Sequence, residues 1–282
     1  MHASRDPATQ QGFALQRVAL VHGDLAWREA GRGLPLVLLH GIGSGSGSWG
    51  AQMSALSASF RVVAWDAPGY GDSAPLAETK PLARDYALVL SEFLARLGID
   101  ELVLVGHSLG AIVAAAWAAE PSATLHALVL VSPARGYGLA PVAQREAKLR
   151  ERIDLVERLG IAGLAAQRSA GLCAPGAPAA AVEQVRLNMA RATAGGYSQA
   201  AHMLADDDLL SHLRRVKVPV AVLCGELDTV TPPSACEQVA NDIAAPFALL
   251  HGVAHACYVE DAAQFNAALL AFLNAQREAS HG

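Results

Sequence analysis

The possible folds of this chain are narrowed most by residues 102–116, LVLVGHSLGAIVAAA. Residues 102–105 form an unbroken apolar run of the kind expected for a buried strand. After Gly110 the Ala-rich run carries no turn signal and predicts helix. Between them lies Gly106-His107-Ser108-Leu109-Gly110, a G-x-S-x-G pattern. A strand that turns abruptly into a helix forces the serine into a strained backbone conformation, and small residues on either side let strand and helix approach closely. The turn lifts the hydroxyl above the sheet edge, where the helix N-terminus supplies positive potential for a developing oxyanion. Ser108 is therefore the candidate nucleophile.

The 282 residues suffice for one large α/β domain, or a core domain with an insertion. Strands are predicted at 35–40, 61–65, 126–131, 218–224 and 247–250, besides the central one. Residues 17–21 and 25–29 flank His22-Gly23-Asp24, a hairpin signal. Helices are predicted at 49–58, 82–97, 232–243 and 262–277. Strands alternating with helices argue for a mostly parallel sheet covered on both faces. The rhythm breaks between 134 and 215, where 144–159 and 180–192 have helical spacing and 171–178 is rich in Gly, Pro and Ala. The expected organisation is a core of 1–133 and 216–282, with 134–215 as a helical cap insertion and 1–16 as a mobile tail.

Composition excludes several classes. A net charge of −5 offers no basic surface for nucleic acid or anionic lipid. No charge-free apolar run reaches about 18 residues, so no membrane span is expected. The first residues lack an apolar stretch of the signal-peptide kind. Cys173, Cys224, Cys236 and Cys257 are too scattered for a disulfide framework or a C-x-x-C metal site, and read as free thiols of a cytoplasmic protein. The Gly-rich loop at 41–47 lacks G-x-G-x-x-G and a following Lys, so neither a nucleotide nor another cofactor is expected. The expected partner is a small-molecule substrate; nothing in the chain sets an oligomeric state.

A serine hydroxyl needs a positioned base, and the base needs an orienting carboxylate. Asp228 follows one predicted strand and His255 follows the next, in the chain order Ser, acid, His. Glu226 and His251 are their nearest rivals. Asp66 and Asp72 belong to a Gly/Pro-rich loop where Asp commonly fixes backbone amides. His40 reads as a loop-fixing residue and His107 as a packing one. Two backbone N–H groups are needed for the oxyanion; Leu109 supplies one and Ile42 the other. The histidines and carboxylates fall on separate loops in triad order, so no metal is expected. Trp117, Tyr137, Met189, Tyr197, His202 and Met203 are candidates for the substrate pocket. Few fixed cations are expected on its inner face, which disfavours strongly anionic substrates unless Arg135, Arg168 or Arg191 faces it.

HGIG, DAPGYGDS, GHSLG, GELD and GVAH, in that order, resemble the motifs of the α/β-hydrolase superfamily over roughly residues 17–276. The resemblance implies an eight-stranded, mostly parallel sheet with helices on both faces and a helical cap after the sixth strand. It also implies Ser108 as nucleophile, Asp228 as acid, His255 as base, and Ile42 and Leu109 as oxyanion donors. The stretch from Gly196-Tyr197 through VKVPVAVLCGELDTVTPP is similar to 3-oxoadipate enol-lactonase-like members. The expected function is hydrolysis of a small carboxylic ester or lactone. Alternatives are a C–C hydrolase of a meta-cleavage type dienoate, a cofactor-free peroxidase, an acyl transferase, or a non-catalytic ligand-binding protein. Serine at the turn argues against haloalkane dehalogenases and epoxide hydrolases, which resemble this fold but carry Asp there.

Overall fold

The computed structural model describes residues 12–120 and 124–281. Its strands are β1 (Gln16–Leu20), β2 (Gly23–Ala30), β3 (Pro35–Leu39), β4 (Arg61–Trp65), β5 (Leu102–His107), β6 (Leu125–Val131), β7 (Val220–Gly225) and β8 (Phe247–Leu250). They form one eight-stranded sheet in the order β1-β2-β4-β3-β5-β6-β7-β8. β1 and β2 make the hairpin that residues 22–24 predict, and β2 also runs antiparallel to β4. The remaining pairings are parallel. This is the mostly parallel sheet that the motifs imply.

Between β3 and β6 the chain forms α1 (Gly50–Leu56), α2 (Ala83–Arg96) and α3 (Leu109–Ala118). Between β6 and β7 lie α4 (Val142–Arg168), α5 (Ala179–Met189), α6 (Ala194–Asp206) and α7 (Leu209–Leu213). After β7 come α8 (Pro233–Asp242), α9 (Cys257–Glu260) and α10 (Ala262–His281).

Alternation along the strands builds two apolar layers. Leu36, Leu38, Val103 and Val105 pack with Met53 of α1 and Phe265 and Leu269 of α10. Val37, Leu39 and Leu104 face the other way, against Leu90 and Phe93 of α2, Ile112 of α3 and Val239 of α8. Burying one such side chain contributes about 1.5–3 kcal/mol, so the strip from β4 to β6, covered on both faces, anchors the sheet. The strand ends that carry the candidate residues project from this rigid strip.

Three local features differ from the sequence reading. Residues 1–11 of the expected tail lie outside the described residues, and the remainder is tied down. Phe13 packs on the layer of Leu36 and Phe265, its carbonyl accepts from the buried Arg28 guanidinium, and Gln16 already opens β1. Gly160, at φ 63° and ψ 173°, breaks α4 into two helical stretches, the first ending where 144–159 was expected to end. Helix α6 goes unpredicted because it opens on Gly195-Gly196, poor helix formers. The Thr193 side chain caps it, accepting from Gly196 N at 2.9 Å. Gly196 also packs against the backbone of Gly69 so closely that neither position admits a Cβ.

Candidate active site

Ser108 sits between β5 and α3 at φ 53° and ψ −116°, a left-handed conformation that side chains other than glycine's rarely adopt. Close packing enforces it. A Cβ on Gly106 would lie 2.5 Å from Gly110 O, and one on Gly110 2.6 Å from His40 O. The loop after β3 rides on the same turn, since a Cβ on Gly41 would lie 2.9 Å from that of Ser108. His40 fixes this loop: its Nδ1 donates to Gly41 O at 2.9 Å and its Nε2 accepts from Ala67 N at 2.9 Å. Burial lowers its pKa, which suits the neutral ring those bonds require. Among the described residues, the N–H groups of Ile42 and Leu109 have no backbone acceptor.

Asp228 and His255 come together from the loops after β7 and β8. His255 Nδ1 donates to Asp228 Oδ2 at 2.8 Å, with both side chains nearly or fully buried. Asp228 Oδ1 accepts from Val230 N at 2.8 Å and Thr231 N at 2.9 Å. Burial alone would raise the carboxyl, but the imidazole bond, with the Thr231 N–H, outweighs it and holds the pKa down to about 2. The Thr231 hydroxyl lies between Asp228 Oδ2 (2.9 Å) and Ser132 O (3.0 Å). The turn before His255 is clamped by Glu260, which accepts from Ala254 N at 2.9 Å and from Ala174 N at 2.6 Å. Among the described residues no hydrogen bond joins the Ser108 hydroxyl to the imidazole, although both side chains line one cavity.

The rivals lie elsewhere. His251 and Glu226 pair with each other at 3.5 Å on the surface. Asp72 meets Arg17 at 2.6 Å in solvent. Asp66 is fully buried, accepts from Ser46 N at 2.6 Å and sits 3.4 Å from Arg191 Nη2, bracing the loop after β3 against the segment before α6. His107 packs between His255 and Tyr258. Among the described residues no group of three His, Cys, Asp or Glu side chains converges as a metal site would. No helix among them is long and apolar enough to cross a membrane.

The cavity measures about 270 Å³. Ser108, His255, Ile42 and Thr231 line it, together with the apolar Leu155, Leu164, Leu172, Val185 and Met189. Of the pocket candidates, Tyr137, Met189 and Tyr197 line it. Trp117, His202 and Met203 do not. Trp117 lies about 13 Å along α3 from Ser108 at 1.5 Å per residue, packed toward α2 with its indole N–H donated to Ser91 Oγ at 3.0 Å. On α6, Tyr197 and Leu204 share the cavity face, seven residues apart; positions 202 and 203 fall off it. Met203 is fully buried in the α2–α3 layer, and His202 is half-buried near Lys80 and Asp206.

A further correction concerns charge. Arg135, Arg152 and Arg168 all line the cavity, so the expectation of few inward cations fails; Arg191 is instead taken up by Asp66. Arg152 was missed because a charged residue on an amphipathic helix reads as solvated. Thr231 was missed too, although a hydroxyl three residues after Asp228 is a recognisable turn pattern. Glu260 leaves no signal in the sequence.

The model of the alpha/beta hydrolase family matches residues 36–268. RutD of Cronobacter turicensis, named for carbamate hydrolysis, is 30% identical over 262 residues, 87% of this chain and 93% of its own. A thermophilic esterase of Thermogutta terrifontis superposes with a TM-score of 0.82 at 25% identity, covering 93% of this chain and 99% of its own. The enol-lactonase of Burkholderia xenovorans shares the fold, with a TM-score of 0.77 at 22% identity over 92% of this chain and 100% of its own. By its sheet order, its motifs and the span of the match, the chain belongs to the alpha/beta hydrolase family.

Proposed function

We propose that the chain is a serine hydrolase of a small carboxylic ester or lactone, acting through an acyl-enzyme. One observation carries this reading. A strained serine at a strand-to-helix turn shares a cavity with a histidine whose far nitrogen is held by a buried carboxylate.

In this reading Ser108 Oγ attacks the ester carbonyl while His255 Nε2 takes the hydroxyl proton. The bond between them forms when the serine side chain rotates toward the ring as substrate binds. The N–H groups of Ile42 and Leu109 receive the oxyanion. Collapse breaks the C–O bond, and the imidazolium returns its proton to the leaving oxygen. Water then attacks the acyl-serine by the same route and frees the carboxylic acid. Asp228 keeps the proton on Nδ1 and stabilises the imidazolium. The helices within 134–215 serve as a cap, and four buried free cysteines accord with a reducing cytoplasm. The names of RutD and the Thermogutta esterase agree with attack on an ester-type carbonyl.

A fluorophosphonate probe should label Ser108, with Ser108→Ala losing both label and turnover. A panel of p-nitrophenyl esters, lactones and a ring-cleavage dienoate then fixes the class. Absence of labelling overturns the nucleophile, and a strong preference for the dienoate overturns ester hydrolysis.

A further inference from the structure

The cavity that Ser108 and His255 line is also lined by Arg135, Arg152 and Arg168, among apolar side chains such as Leu155 and Leu164. These arginines differ from many others in the chain. Arg17, Arg61, Arg96, Arg145 and Arg186 each meet a carboxylate within 4 Å. Among the described residues no carboxylate lies that close to the three in the cavity. The one acidic side chain among the lining residues, Glu151, is bound to Lys148 at 3.1 Å. That leaves three guanidinium groups facing one carboxylate already engaged by a lysine.

Arg152 is also held in place. Its Nη1 donates to Lys148 O at 3.0 Å, and its guanidinium lies 5.8 Å over the Tyr137 ring. A stacked, half-buried guanidinium keeps its remaining N–H groups in a planar fork, the geometry that receives a carboxylate at two points. Arg152 lies before the Gly160 break and Arg168 after it, so the bend in α4 lets both reach the same chamber.

We infer that Arg152 and Arg168, with Arg135, form a carboxylate-binding part of the cavity, and that the substrate is a small ester or lactone carrying a second, ionised carboxyl group. This rests on the hydrolase reading above for the ester but not for the carboxylate. The apolar walls fit a short hydrocarbon spacer, and a cavity of about 270 Å³ favours one of a few carbons.

The test compares monomethyl glutarate with its neutral isostere methyl glutaramate. Wild type should favour the anion in kcat/KM by about tenfold or more, the ratio expected of a charged hydrogen-bonded contact. The Arg152→Gln/Arg168→Gln variant should bring that ratio down about tenfold, mainly through KM, with Arg152→Lys intermediate. A ratio near one, or a ratio that the double variant leaves alone, overturns the inference. Calorimetric titration with glutarate needs no turnover and separates the two claims. Glutarate binding that weakens with salt and is lost in the double variant supports the carboxylate site even if neither ester is cleaved and Ser108 is unlabelled. Absence of glutarate binding to wild type, or equal binding of glutaramide, overturns it.

Discussion

His107 donates from its ring Nε2 to the backbone carbonyl of His255 at 2.9 Å, and the two rings lie 4.7 Å apart. The residue beside the proposed nucleophile thus holds the backbone of the proposed base. Burial, reinforced by His255, pushes the His107 pKa down to about 3. Between that value and the ordinary 6.5, the unfolded chain carries a proton that the folded one refuses. Stability should therefore fall as pH drops below about 6.5, by up to a few kcal/mol. Asp228 acts in the same direction at lower pH: its depressed pKa adds stability above 3.8 that is lost as pH falls toward 2. Urea melts near pH 7 and near pH 5 should show the decline, and His107→Gln should flatten it. An identical slope in the variant would assign the decline to other groups.

Asp228→Asn keeps an oxygen for the N–H groups of Val230 and Thr231 but loses the acceptor that fixes the imidazole tautomer. Turnover should drop about 10⁴-fold, with the melting temperature lowered by only a few degrees as the stability of the depressed carboxyl is lost. Retention of more than a tenth of the activity would take Asp228 out of the mechanism.

Thr231→Val removes one hydroxyl bond from the carboxylate and leaves the Thr231 N–H in place. A loss of about 2- to 10-fold in kcat, with a shift in the acidic limb of the pH–rate profile, is expected. An effect confined to KM would mean that Thr231 serves only as cavity wall.

Gly106→Ala places a methyl 2.5 Å from Gly110 O, where backbone must move. It should cost more than about 3 kcal/mol or prevent folding. Gly171→Ala, with open space around the new methyl, should be neutral or stabilise by a few tenths of a kcal/mol. Thermal melts of the two separate a steric requirement from a general intolerance of alanine.

Met203→Ala and Met189→Ala should part company. Met203 is fully buried in the layer beneath the cavity, so its loss should cost about 2–5 kcal/mol and leave KM unmoved. Met189 lines the cavity and should alter KM. The reverse pattern would restore Met203 to the pocket.

The sheet and the turn at Ser108 were legible because their causes are local. Apolar runs mark the strands, and Gly106 and Gly110 mark a close approach that backbone geometry demands. His255 could be preferred over His251 because it follows the turn after the last strand, which can project a side chain across the site, and the surface pairing of His251 with Glu226 accounts for both rivals. Trp117, His202 and Met203 misled because their angular position on a helix depends on which side meets the core, and α3 is apolar nearly all round. Thr231 and Glu260 act through contacts between loops, and the bend at Gly160 that turns Arg168 inward has no apolar pattern to betray it.

The buried Asp66 ties the turn bearing Ile42 to Arg191, and the same stretch closes on Gly69 through Gly71 N to Arg191 O and Thr193 Oγ1 to Gly69 O. Drift in residues 188–197 is thereby transmitted to the loop that carries the proposed oxyanion donor Ile42. Among the described residues, the wall contributed by α4 carries no bond to Asp66 and is released from that constraint. Lineages diverging from such a protein would change diet by rewriting α4, while the stem that joins roof to floor stays fixed.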